Sequence, residues 1–229
     1  MMDHARDLEA VREATDRLLN EAGKWDNAAL AEPSRLPGWS RGHVLTHLSR
    51  NADALGNVLR GLPMYASSET RDADIESGAP RPLAGQLADF RESADRLRAA
   101  ADEPADWSRT VTLRNGVTDS ASRIPFRRLI EVEIHHVDLD VGYELEDLPA
   151  DFTEREIAFL TDRFAGHPDV PATTVTAPDG RTWTTGGGAE GPAVAVRGTA
   201  AGLLGWLAGR RDGSALTVTG GALPALPAL

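Results

Sequence analysis

Apolar residues recur at helical spacing through most of the first 165 positions. Leu8, Val11, Thr15, Leu18 and Leu19 fall on one stripe and predict an amphipathic helix over 5–22. The stretch "LPGWS" (36–40) reads as a turn, and Ser40 suits the N-cap of a helix from Arg41 to about Arg60. Residues 61–82, punctuated by Gly61, Pro63, Gly78, Pro80 and Pro82, read as a long loop, a length that in compact domains goes with function or disorder. A third helix is predicted over 83–101. "TVTLRNGVT" (110–118) reads as a small hairpin, because Asn-Gly favours a tight turn.

The segment "IPFRRLIEVEIHHVDLDVGY" (124–143) is harder to place. Its Glu-Val-Glu-Ile-His core alternates as a strand does. Helix is the better reading, since Pro125 suits a first turn and no glycine appears before Gly142. Phe126, Ile130, Ile134, Val137 and Val141 also share one helical stripe. A further helix follows at 153–166. After "GHPDVP" (166–171) the pattern changes. "TTVTAPDGRTWTT" predicts a hairpin around Pro-Asp-Gly, "AVAVRG" a short strand, "TAAGLLGWLAGR" a helix and "ALTVTG" another strand. The fold class expected is α+β, with a helical bundle over 1–168 and a small α+β domain over 169–229. The tail "GALPALPAL" reads as a loosely packed extension of that domain.

Composition narrows the functions available. Hydrophobic residues make up 41% and charged residues 26% of 229, ordinary values for a globular protein. A net charge of -11 argues against a nucleic-acid partner, which would need a basic face. No apolar run approaches the roughly 18 residues of a membrane span. The N-terminus has no signal-peptide core, so a cytoplasmic location is expected. The absence of cysteine removes disulfides, thiolate metal sites and a cysteine nucleophile together. Any thiol chemistry has to use a thiol from outside.

The candidate chemistry lies on two helices. At about 100° per residue, Glu131, His135 and Asp138 share one face of the 124–142 helix, while Glu133 and Asp140 share another strip that reads as solvated. His136 points elsewhere, beside Leu129 and Val132, so the adjacent histidines cannot serve one ion. Glu131 and His135 lie one turn apart and suit Zn²⁺ or another divalent ion, but a third ligand must come from another helix. Of His43 and His47 on the second helix, His47 lies nearer the apolar edge, by Asn51 and Val58, and is the better candidate. The plainer reading competes: a Glu/His pair at this spacing is ordinarily a surface hydrogen bond, and an inward histidine commonly bonds a carbonyl. His136 reads as structural, His43 and His167 as exposed, His4 as part of a fraying terminus, and Trp39 and Trp206 as packing anchors. The residues by themselves lead to a candidate three-ligand metal site and no further.

Four motifs extend the reading. "LPGWSRGHVLTHLSRNADAL", "PMYASSETRDADI", "EVEIHHVDL" and "GLLGWLAGRRDG" occur in the order found in the mycothiol-dependent maleylpyruvate isomerase family, which the chain resembles over essentially its whole length. The resemblance implies a DinB-like metal-binding four-helix bundle followed by a sterol-carrier-like α+β domain. It implies zinc ligands His47, Glu131 and His135, the same set the helical wheel prefers. It places the family's catalytic arginine on Arg210, with Arg211 as the competing register; alone, an arginine there reads as charge complementing a helix C-terminus. Asn51 and Arg71 match motif positions without an assigned role.

The implied cofactors are zinc and mycothiol, and the partners are that small-molecule thiol and an acidic electrophile. The implied reaction is addition of a metal-activated thiolate to the cis double bond of maleylpyruvate, rotation, and elimination to fumarylpyruvate. Arg210 would hold a substrate carboxylate. A mycothiol S-transferase or a non-catalytic metal-binding protein would carry the same ligands.

Overall fold

The computed structural model describes residues 4–103, 106–191 and 193–228, and forms two compact units, 1–143 and 144–229. The class is α+β, with seven α-helices and two small sheets among the described residues.

In the first unit, α1 (His4–Ala22), α2 (Arg41–Leu59), α4 (Leu83–Asp102) and α5 (Ile124–Asp138) form a four-helix bundle in which α2 meets α4 and α5, and α1 meets α4 and α5. The centre is apolar: Val44, Leu45 and Leu48 of α2, Phe90 of α4 and Val132 of α5 are fully buried. β1 (Thr110–Thr112) and β2 (Thr118–Ser120) pair antiparallel, and their turn passes through Asn115 and Gly116 at positive φ, 59° and 73°. The Asn-Gly hairpin is therefore present, with a short helical turn at its tip.

The expected loop over 61–82 contains a helix, α3 (Ser68–Gly78). It escapes a periodicity reading because Ile75 is its one buried large apolar side chain. Local devices hold it instead. Ser67 accepts the Thr70 backbone N–H at 3.1 Å, and Gly78 lies so near Thr46 that a Cβ there would stand 2.4 Å from its methyl. The end of α5 is also local. Asp140 takes φ 56°, a left-handed conformation that Asp tolerates better than most residues, and Gly142 follows at 87°.

In the second unit, α6 (Ala150–Arg163) packs on α7 (Ala200–Leu207) and on a four-stranded sheet of order β4-β3-β5-β6. The strands are β3 (Thr173–Thr176), β4 (Thr182–Thr185), β5 (Val194–Arg197) and β6 (Thr217–Thr219); β3 and β5 run parallel and the other pairs antiparallel. The helix that the hydropathy pattern grouped with the bundle, before a boundary at 168, thus belongs to the second unit, where Thr185 donates to the Thr161 carbonyl at 2.6 Å. An amphipathic stripe shows that a helix has a buried face without showing which neighbour covers it. The tail is better anchored than expected: Pro224 is buried and its carbonyl accepts from the Trp206 indole at 3.2 Å. The last residue of that tail lies outside the described residues. Among the described residues no helix is long and apolar enough to cross a membrane.

Candidate metal centre

Two histidines begin α2, and local chemistry separates them. Ser40 is the N-cap, and its backbone N–H donates to His43 Nδ1 at 3.1 Å, so His43 closes the first turn. Its Nε2 faces Glu76 at 3.5 Å. His47, one turn further, is buried and turned toward α5. There Glu131 Oε2 lies 2.9 Å from His47 Nε2 and 3.3 Å from His135 Nε2. The two imidazoles meet edge to face, with centroids 4.7 Å apart.

One ligand atom from each of His47, Glu131 and His135 lies within 4.8 Å of the other two. Ligands at zinc-like bond lengths in a tetrahedral shell stand roughly 3.4 Å apart, so the separations on either side of Glu131 fit a single small divalent ion. The donor set, two imidazoles and a carboxylate, suits zinc among other divalent ions. Asp138, fully buried, lies 2.8 Å from His135 Nδ1, the carboxylate–histidine arrangement that orients metal-ligating imidazoles.

The electrostatics favour the ligand forms of two of these groups. Burial pushes the Glu131 carboxyl up, but hydrogen bonds and charge from His135 and His47 outweigh it and hold the carboxyl well below its usual range. Burial lowers His47 despite its bond to Glu131, which keeps the imidazole neutral. His135 is different. Burial acts to lower it, yet Asp138 and Glu131 together raise it above its ordinary value.

Residues that the sequence left without a role surround the triad. Arg71 of α3 places Nη2 3.2 Å from His47 Nδ1, and its guanidinium lies over the Tyr65 ring at 5.9 Å. Arg128 is fully buried one turn before Glu131; its Nη1 donates to the Leu48 carbonyl and to Asn51 Oδ1, each at 2.8 Å, which gives Asn51 the task of fixing α5 to α2. Burial lowers Arg128 to about 10, partly opposed by Glu131, and it remains a cation at neutral pH. Trp39, read as a packing anchor, is half-buried with its ring tilted against His47 at 5.5 Å. Asn51 and Arg71 stood out in the sequence only as motif positions; their roles come from partners on other elements, which periodicity does not show.

The two carboxylates of the other strip, Glu133 of α5 and Asp140 just past its end, part company. Asp140 is exposed and pairs with Arg35 at 2.8 Å. Glu133, expected to be solvated, is 1% exposed: its oxygens take Arg17 of α1 at 2.5 Å and the Tyr143 hydroxyl at 2.9 Å. His136 is also buried and stacks on Tyr143 at 4.1 Å.

Arg210 lies in the second unit just beyond α7, where Gly209 takes φ 67°. The backbone N–H groups of Arg210 and Arg211 both donate to the Gly205 carbonyl, at 2.7 and 2.9 Å. Arg210 Nη1 donates to the Ala208 carbonyl at 2.9 Å. Arg211 forks onto the Glu146 carboxylate with two bonds of 2.7 Å.

The helical bundle, with a two-histidine, one-carboxylate cluster on facing helices, and the small α+β unit that follows it each correspond to a known family domain. Residues 11–140 match the mycothiol maleylpyruvate isomerase N-terminal domain and residues 147–228 match the MDMPI C-terminal domain. The chain belongs to the mycothiol-dependent maleylpyruvate isomerase family, an enzyme family. Its fold is similar to the crystal structure of the mycothiol-dependent maleylpyruvate isomerase, with TM-score 0.88 and 28% identity, covering 99% of this chain and 97% of that one. A histidine-to-alanine mutant of that isomerase gives TM-score 0.87 and 27% identity over the same shares. No curated protein matches the chain in sequence.

Proposed function

We propose that the protein is a mycothiol-dependent cis–trans isomerase that converts maleylpyruvate to fumarylpyruvate, with zinc held by His47, Glu131 and His135. The observation that carries this reading is the convergence of three ligand atoms from α2 and α5 within 4.8 Å of one another. The family supplies the reaction, since a structural relative that covers the chain almost completely is that isomerase. Three protein ligands leave room for one more on a four-coordinate ion. When bound there, zinc favours the thiolate form of a thiol, whose reversible addition turns a cis double bond into one that rotates.

The chain's own residues prepare this. Glu131 is held ionised and His47 neutral, the forms that bind a metal. Asp138 fixes the ring of His135. Arg128 and Asn51 lock the register of α5 against α2, so the donors of the two helices meet. The motif "LAGRRDG" assigns the substrate carboxylate to Arg210. The fork of Arg211 on Glu146 supports that register, because a substrate bound to Arg211 would have to displace a bidentate ion pair.

The test is turnover of maleylpyruvate by zinc-loaded protein with and without mycothiol, with free thiol followed throughout. Isomerisation that requires mycothiol and leaves its concentration unchanged is expected. Thiol consumed in proportion to electrophile would make the protein an S-transferase. In the same assay Arg210→Ala should keep its zinc and lose about tenfold or more in kcat/KM, the scale of one charge-assisted carboxylate contact; an unchanged rate would remove Arg210 from the site.

A further inference from the structure

A cavity of about 610 Å³ lies at the C-terminal end of α2, between residues 61–68 and the β1–β2 hairpin. Its lining carries Arg109 and Arg114 and no carboxylate. That is unusual in a chain with 35 acidic and 24 basic residues. The two arginines differ in what they do. Arg109 directs Nη2 at the carbonyls of Val58 and Leu59, covering the negative end of the α2 dipole that would otherwise repel an anion. Arg114 stands beside the left-handed turn at Asn115; its carbonyl accepts the Val117 N–H at 3.3 Å, and its exposed side chain has no hydrogen bond or ion pair among the described residues. Ser67, Ser68 and Asn115 add polar groups to the wall.

Two side chains connect the cavity to the metal centre. Tyr65 lines the cavity and packs under Arg71, whose Nη2 is 3.2 Å from His47 Nδ1. The cavity wall thus carries Arg114 and Tyr65, and Arg71, paired with Asp72 at 2.6 Å through Nη1, links that tyrosine to His47 of the triad. We propose that this cavity receives a carboxylate end of the substrate, with Arg114 as its ion-pairing residue. The site would then select acidic electrophiles over neutral ones. This rests on the isomerase reading for the identity of the substrate. Maleylpyruvate carries carboxylates, so an unpaired guanidinium in this cavity has a group to bind.

The experiment is calorimetric titration of zinc-loaded wild-type protein and Arg114→Gln with maleate, a cis dicarboxylate, in the absence of thiol. Metal content and the KM values for maleylpyruvate and mycothiol are measured on the same preparations. Arg114→Gln should keep its zinc, weaken maleate about tenfold, raise the KM for maleylpyruvate similarly and leave the KM for mycothiol unchanged; Arg114→Lys should recover part of the loss. Equal maleate affinity in wild type and Arg114→Gln, or no maleate binding by either, overturns the proposal. A raised KM for mycothiol with maleate binding intact also overturns it and gives the cavity to the thiol. Because maleate binding is read without turnover, the two readings fail separately. A wild-type protein that binds maleate through Arg114 yet does not isomerise maleylpyruvate would sink the isomerase reading and leave the carboxylate preference standing.

Discussion

Two faces of α5 carry almost the same side chains and do opposite things. One presents Glu131, His135 and Asp138; the other presents Glu133, His136 and, just past the helix, Tyr143. On the first face a neighbouring helix contributes an imidazole, His47, and three ligand atoms converge. On the second the neighbouring helix contributes a guanidinium, Arg17, which occupies Glu133, while His136 is buried against Tyr143. Beside Glu131 and His135 the facing helix brings a further possible ligand; beside Glu133 and His136 it brings a counter-ion, and only the first arrangement could hold a metal.

The strongest way to break this contrast is to delete one histidine from each face. His47→Ala should weaken zinc binding by more than about 100-fold, beyond what loss of an outer partner costs, and abolish activity with the helical circular-dichroism signal retained. His136→Ala should leave zinc stoichiometry unchanged. Equal zinc loss in the two variants, read by chelator competition, would mean that the faces are not distinct.

Much of the contrast was legible in the sequence, and the remainder shows where such reading stops. Angular position on a helix selects His47 over His43, because His47 lies nearer the apolar edge, and His135 over His136, because only His135 shares a face with Glu131. The same wheel places Glu133 on a solvated strip, yet Arg17 and Tyr143 bury it; partners about a hundred positions away or across a turn leave no periodic trace. Arg128 is missed for a related reason, since a buried cation is rare and depends on acceptors that only the packed helices supply, here Leu48 and Asn51. Local signals fared better: Ser40 caps α2 and Pro125 opens α5 where their residue types indicate. The placement of α6 could not be read, since hydropathy gives the width of a buried face and not the partner it meets.

A smaller effect sharpens the first face. Asp138→Asn keeps a group able to hydrogen-bond His135 Nδ1 but removes the charge behind it. Zinc affinity should fall about 10–100-fold with the triad intact, the usual cost of losing an outer carboxylate. Cobalt-substituted protein should keep its ligand-field bands at saturating metal. An affinity equal to wild type would make Asp138 a packing residue only.

The smallest effect belongs to the second face and appears as a pH dependence. Burial, reinforced by the charge of Arg17 and opposed by Glu21, lowers His136 from its ordinary 6.5 to about 4. The unfolded chain therefore takes up this proton before the folded one does. The stabilising contribution is complete above about 6.5, and it drains away as the pH falls toward 4. Between pH 7 and 5 this single group should cost the folded state about 2 kcal/mol. His136→Phe keeps an aromatic ring against Tyr143 and removes the titration. Denaturant unfolding of the two zinc-loaded proteins should then give stabilities that diverge by about that amount as the pH is lowered, the variant losing less. The metal's own pH dependence is common to both and cancels in the difference. Parallel curves would show that His136 reaches water or a hydrogen-bond partner in solution, and the second face would then be less closed than its burial implies.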